Sequence, residues 1–122
     1  MTLILIVDDN LEACRPLARL LRHHGANAVC VDSGEAALAY LRLHLPKLVI
    51  LDVMMPGMDG LEVLRQIRSD ARTANLPVIM FTASSDDGHR AQAHGLNATD
   101  YWIKGAVDFA DLERRVGAFL DK

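Results

Sequence analysis

Residues 3–10 read LILIVDDN, a continuous apolar run that ends abruptly in two aspartates and an asparagine. Five β-prone side chains in a row are typical of a strand buried on both faces, as the strands of parallel sheets are. Asn10 is a favourable helix N-cap, and the apolar periodicity that follows it ends at Gly25, a residue type that commonly terminates helices. This stretch therefore predicts a strand, a polar turn and a helix, which together form the repeating unit of α/β proteins.

The same unit recurs four more times with short connections. Further strands are expected at 28–31, 48–51, 78–81 and 101–103. A helical pattern follows each of them, beginning after Ser33, near Gly60, near Ser85 and after Asp108. Five such units in series predict a doubly wound, five-stranded parallel sheet with helices on both faces, a (βα)5 three-layer sandwich that occupies residues 1–122 as one domain.

Apolar periodicity also predicts the buried face of each helix. The side chains expected to point inward are Leu11, Cys14, Ala18 and Leu21, then Ala37, Leu38, Leu41 and Leu45, then Leu61, Leu64 and Ile67, and finally Phe109, Leu112, Val116 and Phe119. The segment 85–94 offers only alanines for burial, so the fourth helix should be the least firmly anchored.

The composition narrows the classes of function. The 122 residues are 51% hydrophobic with a formal net charge of −3, which provides apolar material for a core but no basic field for a nucleic-acid backbone. The apolar run at 3–7 is too short to cross a membrane and lacks the positive flank of a signal peptide. We therefore expect a cytoplasmic protein with no direct nucleic-acid binding and no membrane binding.

The cysteines and histidines suggest no metal site. Cys14 and Cys30 form no CxxC pair and lie among apolar residues, so reduced core thiols are the expected state. The five histidines have no metal-ligand spacing, and His89 and His94 are expected on the surface.

Polar residues stand where four of the five predicted strands end. Asp8 and Asp9 follow the first strand, Asp52 follows the third, Thr82 the fourth and Lys104 the fifth. Ligands of doubly wound sheets bind beyond the carboxyl ends of the strands, so three carboxylates converge if strands one and three are neighbours. Taken singly, each residue also has an ordinary explanation as a helix cap, a turn residue or a solvated lysine.

A cluster of these carboxylates has a definite chemistry. Like charges at close range are costly unless a cation or a proton intervenes. An all-oxygen ligand set with room for water suits Mg²⁺ better than zinc. The facing Lys104 and Thr82 would then help the metal to hold a phosphoryl group, and a carboxylate placed there can become an aspartyl phosphate. The residues by themselves thus predict Mg²⁺-dependent phosphoryl transfer to a carboxylate.

The same residues resemble a known family. The segments IVDDN at 6–10, LDVMMPGMDG at 51–60 and Thr82-Ala83, with Lys104 and with Tyr101 three residues before it, are similar to the response-regulator receiver domain of two-component signalling. The resemblance covers essentially the whole chain. It implies a flavodoxin-like fold of the kind found in single-domain, chemotaxis-regulator-like receivers.

The resemblance implies a role for each matching acid. Asp52 would accept the phosphoryl group from a histidine of a partner histidine kinase or histidine phosphotransfer protein. Asp9 and Asp52 would ligate Mg²⁺ directly with the backbone carbonyl of Met54, whereas Asp8 would act mainly through water. Such a protein is not a conventional turnover enzyme, because it would catalyse its own phosphorylation and dephosphorylation at Asp52.

The remaining matches imply a switch. Lys104 and the Thr82 hydroxyl would contact phosphoryl oxygens, and Thr82 moving toward that group would vacate space into which Tyr101 can rotate. The regulated surface would be formed by helix four, strand five and helix five, and it would act on an unidentified downstream protein. Gly57 and Gly60 would let the loop fold tightly beside the acceptor.

The chain departs from the family pattern at one position, and two of the family's variable positions carry residues that bear on the chemistry. Gly105 follows Lys104 where the family usually has a proline, often after a cis peptide. A trans bond and a more mobile loop are expected, because a cis bond before glycine costs about 3 kcal/mol. Met54 and Ser84 occupy variable positions beside the phosphoryl group, and methionine cannot orient an attacking water by hydrogen bonding.

Other functions use this fold or this nucleophile. A flavodoxin-like cofactor carrier needs a first loop that cradles a phosphate, which Asp8 and Asp9 would repel. A phosphatase of the haloacid-dehalogenase type would require a second acid where Met54 stands. Two alternatives stay open: a non-phosphorylated pseudo-receiver that serves as an interaction module, and a receiver excised from a larger regulator or hybrid histidine kinase.

Overall fold

Strands and helices alternate along the chain, and the computed structural model describes residues 2–120. The strands are β1 (Thr2–Val7), β2 (Ala26–Val31), β3 (Leu48–Leu51), β4 (Val78–Thr82) and β5 (Asp100–Ile103). The helices are α1 (Leu11–His23), α2 (Gly34–Leu43), α3 (Gly60–Ser69), α4 (Asp87–Gly95) and α5 (Phe109–Leu120). The prediction of five successive βα units is confirmed.

The five strands form one parallel sheet in the order β2-β1-β3-β4-β5. The chain steps outward from β1 to β2 and then returns to the other side of β1 to form β3. Val7 at the end of β1 is paired with Leu51 at the end of β3. The residues that follow these two strands therefore emerge side by side, at the switch point where doubly wound sheets bind their ligands.

Side chains of the sheet alternate between two hydrophobic cores, one on each face. Leu5 and Val7 of β1 belong to the core covered by α2, α3 and the single buried residue of α4. Ile4 and Ile6 belong to the opposite core, which is covered by α1 and α5. The two-residue period of a strand thus divides the apolar residues between two layers of helices, and the molecule is the predicted three-layer sandwich.

Three side chains predicted to lie in the core are exposed instead. Leu11 is 46%, Leu45 is 56% and Phe109 is 60% exposed. Leu11 and Phe109 are the first residues of α1 and α5, and Leu45 lies beyond the end of α2. Periodicity predicts which face of a helix points inward but not how far along its axis the helix contacts the sheet. Residues of the inward face at the ends of a helix can therefore extend past the sheet and lack a packing partner.

Helix α4 is anchored as weakly as its alanines predict, with Ala93 as its one buried residue in the part of the chain described. The helix begins at Asp87, two residues later than expected, because the side chain of Asp86 accepts a hydrogen bond from the backbone N–H of His89 (3.1 Å) and caps it. Within residues 2–120, no helix is both long and apolar enough to cross a membrane.

The expectation of two reduced thiols is wrong, because Cys14 and Cys30 form a disulfide with a Cα–Cα distance of 6.5 Å. Cys30 follows Ala26 and Ala28 at the two-residue period of β2, on the sheet face that α1 covers. Cys14 lies one turn into α1 and points to the same core. Their separation of 16 residues gives no hint of this contact, which arises only when α1 packs on β2.

Candidate functional site

Three carboxylates meet at the carboxyl edge of the sheet. One oxygen from each of Asp8, Asp9 and Asp52 lies within 4.8 Å of the others. The backbone N–H of Asp52 donates to the carbonyl of Val7 (3.0 Å), which extends the β1–β3 pairing by one residue and sets the two acids next to each other. Asp8 and Asp52 are only 6% and 7% exposed, whereas Asp9 faces solvent. The expected convergence of the three acids is present.

Local turns orient the two buried carboxylates. One oxygen of Asp8 accepts from the backbone N–H of Asn10 (2.9 Å), and one oxygen of Asp52 accepts from that of Met54 (3.1 Å). Both are side-chain hydrogen bonds to the residue two positions ahead, a favoured geometry for aspartate. Each acid is thereby fixed through one oxygen and presents the other oxygen to the centre of the site.

Lys104 faces the second oxygen of both buried acids. Its Nζ donates to Oδ2 of Asp8 at 2.6 Å and to Oδ2 of Asp52 at 3.3 Å. Burial alone would lower the pKa of Lys104, but the hydrogen bond to Asp8 and the charges of Asp52 and Asp8 outweigh it and raise the pKa. The ammonium group is therefore charged and partly offsets the carboxylate cluster. No cis peptide bond occurs within 2–120, so the Lys104–Gly105 bond is trans as expected.

The loop between β3 and α3 passes very close to the backbone of Asp52. A Cβ placed on Gly60 would lie 2.0 Å from the backbone oxygen of Asp52. Gly57 has a φ of +73°, a conformation that side chains disfavour. The predicted requirement for two small, permissive residues beside Asp52 agrees with this geometry. Met54 is 55% exposed in the same loop, so its side chain lies open beside the site.

Thr82 and Tyr101 are linked through Ser84. The Thr82 side chain is fully buried, and its hydroxyl oxygen accepts from the backbone N–H of Ser84 (3.2 Å). The Tyr101 hydroxyl donates to the backbone carbonyl of Ser84 (2.9 Å), and Arg90 stacks 5.3 Å from the Tyr101 ring centre. The two residues that sequence reasoning selected as a switch therefore share a partner on the loop that precedes α4.

One residue beside this loop was missed. His94 is exposed as expected, but His89 is half-buried and its Nδ1 lies 2.7 Å from the hydroxyl oxygen of Ser84. The useful signal in the sequence was the N-cap position of Asp86 three residues earlier, which turns the first-turn His89 back toward the loop. A surface assignment based on the weak apolar face of α4 overlooks such a local contact.

A comparison with models of known protein families identifies the family of this chain. The family model described as "Response regulator receiver domain" matches residues 4–116. The chain belongs to the response regulator receiver family. Receiver domains accept phosphate from histidine kinases and act on downstream partners, which agrees with a buried aspartate at the end of β3.

Individual relatives of this receiver differ in length. Protein PilH of Pseudomonas aeruginosa is 32% identical over 120 residues, which cover 98% of each chain. Transcriptional regulatory protein AfsQ1 of Streptomyces coelicolor is 41% identical over 120 residues. This match covers 98% of the present chain but only 51% of AfsQ1. A solved structure described as the Mn²⁺-bound form of response regulator Rcp1 is 25% identical with a TM-score of 0.85, covering 98% of this chain and 91% of the other.

Proposed function

We propose that this receiver accepts a phosphoryl group on Asp52 from a phosphohistidine of a partner protein in a Mg²⁺-dependent reaction. One observation carries the proposal: Oδ2 of Asp52 faces the ammonium group of Lys104, with Asp8 and Asp9 beside it at the β1–β3 edge. In the transfer, a carboxylate oxygen of Asp52 forms a bond to phosphorus while the bond from phosphorus to the histidine nitrogen breaks. The imidazole leaves with the electron pair and takes up a proton.

The donor set of the site fits a hard divalent cation. The carboxylates of Asp9 and Asp52 and the backbone carbonyl of Met54 are proposed as direct ligands, and Asp8 as a ligand through water. All of these are oxygen atoms, the ligand type that Mg²⁺ prefers. When bound, Mg²⁺ supplies positive charge that offsets the phosphoryl oxygens. The Mn²⁺-bound form described for Rcp1 supports a divalent metal site in this family.

The other residues of the site position the phosphoryl group and read its presence. Lys104 carries a charge into the cluster and is proposed to contact a phosphoryl oxygen, which would exchange its present bond to Asp52 for a charge-assisted bond to the new group. Thr82 is proposed to donate its hydroxyl proton to a second oxygen. For that, its hydroxyl oxygen must give up or redirect the bond from Ser84.

We propose that the signal leaves through the surface formed by α4, β5 and α5. Few buried contacts hold α4, so a modest free energy is enough to move it. Tyr101 is only partly buried, and it is tied to the α4 side by its hydrogen bond to Ser84 and by Arg90 of α4, which stacks on its ring. Amide NMR spectra with and without a phosphoryl mimic should differ over this surface, and unchanged spectra there would refute this output surface.

The central proposal is tested by incubating the full chain with acetyl phosphate and Mg²⁺ and measuring the intact mass. Wild type should gain one phosphoryl group, and chelation of the metal should prevent the gain. Asp52→Asn should abolish the adduct. Asp70→Asn is the matched control, because Asp70 is an exposed acid whose hydrogen bond to the backbone of Arg72 (2.9 Å) an asparagine can keep. No adduct on wild type, or a full adduct on Asp52→Asn, would overturn the proposal.

A further inference from the structure

The loop that follows β4 is held together by the side chain and backbone of one residue, Ser84. Its N–H donates to Thr82, its carbonyl accepts from Tyr101, and its hydroxyl oxygen lies 2.7 Å from Nδ1 of His89. The same hydroxyl oxygen accepts from the backbone N–H of Asp86 (3.3 Å). Ser84 therefore connects both proposed switch residues to the first turn of α4.

Ser84 and His89 can each donate or accept in the bond between them. The Ser84 hydroxyl oxygen accepts from the backbone N–H of Asp86 and still has its proton and a second lone pair for His89. It donates to Nδ1 of the ring in one tautomer and accepts from Nδ1–H in the other, and in both the contact ties the two side chains together. His89 is further held by its backbone N–H, which donates to the side chain of Asp86 (3.1 Å). The ring is thus held in place beside Ser84.

We propose that His89 is a positioning residue for phosphorylation: through Ser84 it holds Thr82 and Tyr101 in the arrangement of the unphosphorylated protein. This inference rests on the function proposed above and names its regulation. If Thr82 moves toward a phosphoryl group, either its hydroxyl oxygen loses the hydrogen bond from the N–H of Ser84 or Ser84 moves with it. In the second case the bond between Ser84 and His89 is pulled apart unless α4 follows.

The weak anchoring of α4 makes this single bond significant. Ala93 is the one residue of α4 that is buried in the described chain, so little other packing resists a shift of the helix. A hydrogen bond of this kind changes an equilibrium by about 2- to 10-fold. Its loss should favour the arrangement that binds a phosphoryl group by the same factor, because apparent affinity scales with the population of the competent state.

The experiment measures the dissociation constant for beryllofluoride, a phosphoryl mimic, on the full chain with saturating Mg²⁺. His89→Ala removes the ring that bonds Ser84 and should lower this constant by about 2- to 10-fold. Ser84→Ala, which removes the hydroxyl partner of His89, should do the same. His89→Asn places an amide group, which can accept or donate, near the former Nδ1 and should restore the wild-type value. His94→Ala removes an exposed histidine from the same helix and should leave the constant unchanged.

Each outcome bears on the inference. A dissociation constant for His89→Ala that equals or exceeds that of wild type overturns it, as does an equal decrease in His94→Ala or a lack of rescue by His89→Asn. Thermal unfolding of every variant identifies a general loss of stability, which would weaken binding instead of strengthening it. If wild type itself neither binds beryllofluoride nor gains mass from acetyl phosphate, the proposed function fails. If wild type does both and His89→Ala matches it, only the role of His89 fails.

Discussion

Replacing Gly60 by alanine should damage both the stability and the chemistry of this receiver. Gly60 is the buried first residue of α3, and its N–H donates to the carbonyl of Val53 (3.0 Å). A Cβ there would lie 2.0 Å from the backbone oxygen and 2.8 Å from the carbonyl carbon of Asp52, and 2.9 Å from the Cα of Val53. All three atoms belong to the backbone, so no change of rotamer relieves the contact.

The expected cost follows from that geometry. Overpacking a close-packed site costs about 1–3 kcal/mol, and an obstacle made of backbone places Gly60→Ala near the upper limit. The lower entropy of an unfolded alanine offsets about 0.5–1 kcal/mol, which leaves a net loss of about 2 kcal/mol. With an unfolding entropy of about 2.1 cal/mol/K per residue over 122 residues, the melting temperature should fall by about 8 °C.

Thermal unfolding followed by circular dichroism measures the first effect, and the rate of adduct formation from acetyl phosphate measures the second. The rate is taken well below both melting temperatures, so that it reports the displaced Asp52 and not unfolded protein. Gly95→Ala is the control, because Gly95 ends α4 and a Cβ there meets nothing within 4 Å. This variant should melt at or slightly above the wild-type temperature. A Gly60→Ala protein that melts within 2 °C of wild type, as a rough threshold, and is phosphorylated at the wild-type rate would refute the reasoning.

Three further predictions concern other parts of the molecule. The disulfide between Cys14 and Cys30 closes a loop with a separation of 16 residues and should add about 3 kcal/mol to the free energy of unfolding. Its reduction should therefore lower the melting temperature by about 12 °C. Equal melting temperatures of the oxidised and reduced protein would contradict this. Arg65 hydrogen-bonds Glu62 and holds its pKa at about 2, so the pair contributes stability above pH 4.5 that is lost as the pH falls toward 2. An NMR titration should show the pKa of Glu62 returning toward 4.5 in Arg65→Ala, and a midpoint that stays near 2 would argue against the contact. Met54→Asn places a group that can orient water two residues after the acceptor, so it should speed loss of the phosphoryl group more than its uptake. Equal rates of phosphoryl loss in wild type and Met54→Asn after removal of the donor would disprove this.

Local sequence signals were sufficient for the secondary structure and for most of the candidate site. A five-residue apolar run with acids directly after it predicts a buried parallel strand whose end carries Asp8 and Asp9. The same pattern marks Asp52 after β3. Since the carboxyl ends of parallel strands share one edge of the sheet, these acids were expected to meet if strands one and three were neighbours. The strand order that makes them neighbours comes from the structure. Apolar periodicity likewise assigned alanines to the buried face of α4, and its weak anchoring is confirmed.

The tertiary structure decided what depends on distance between elements that are remote in sequence. The bonds from Lys104 to Asp8 and Asp52 span 96 and 52 residues. The pKa of Lys104 is raised because these bonds and the two carboxylate charges outweigh the lowering effect of burial. The pairing of Cys14 with Cys30 required α1 to pack on β2. Sequence periodicity determines which side of an element faces inward, but the partner found there is set by how two elements cross. For this protein, the sequence alone therefore determined the fold class and the edge of the sheet that carries the chemistry, whereas the packing of the folded chain determined which groups touch.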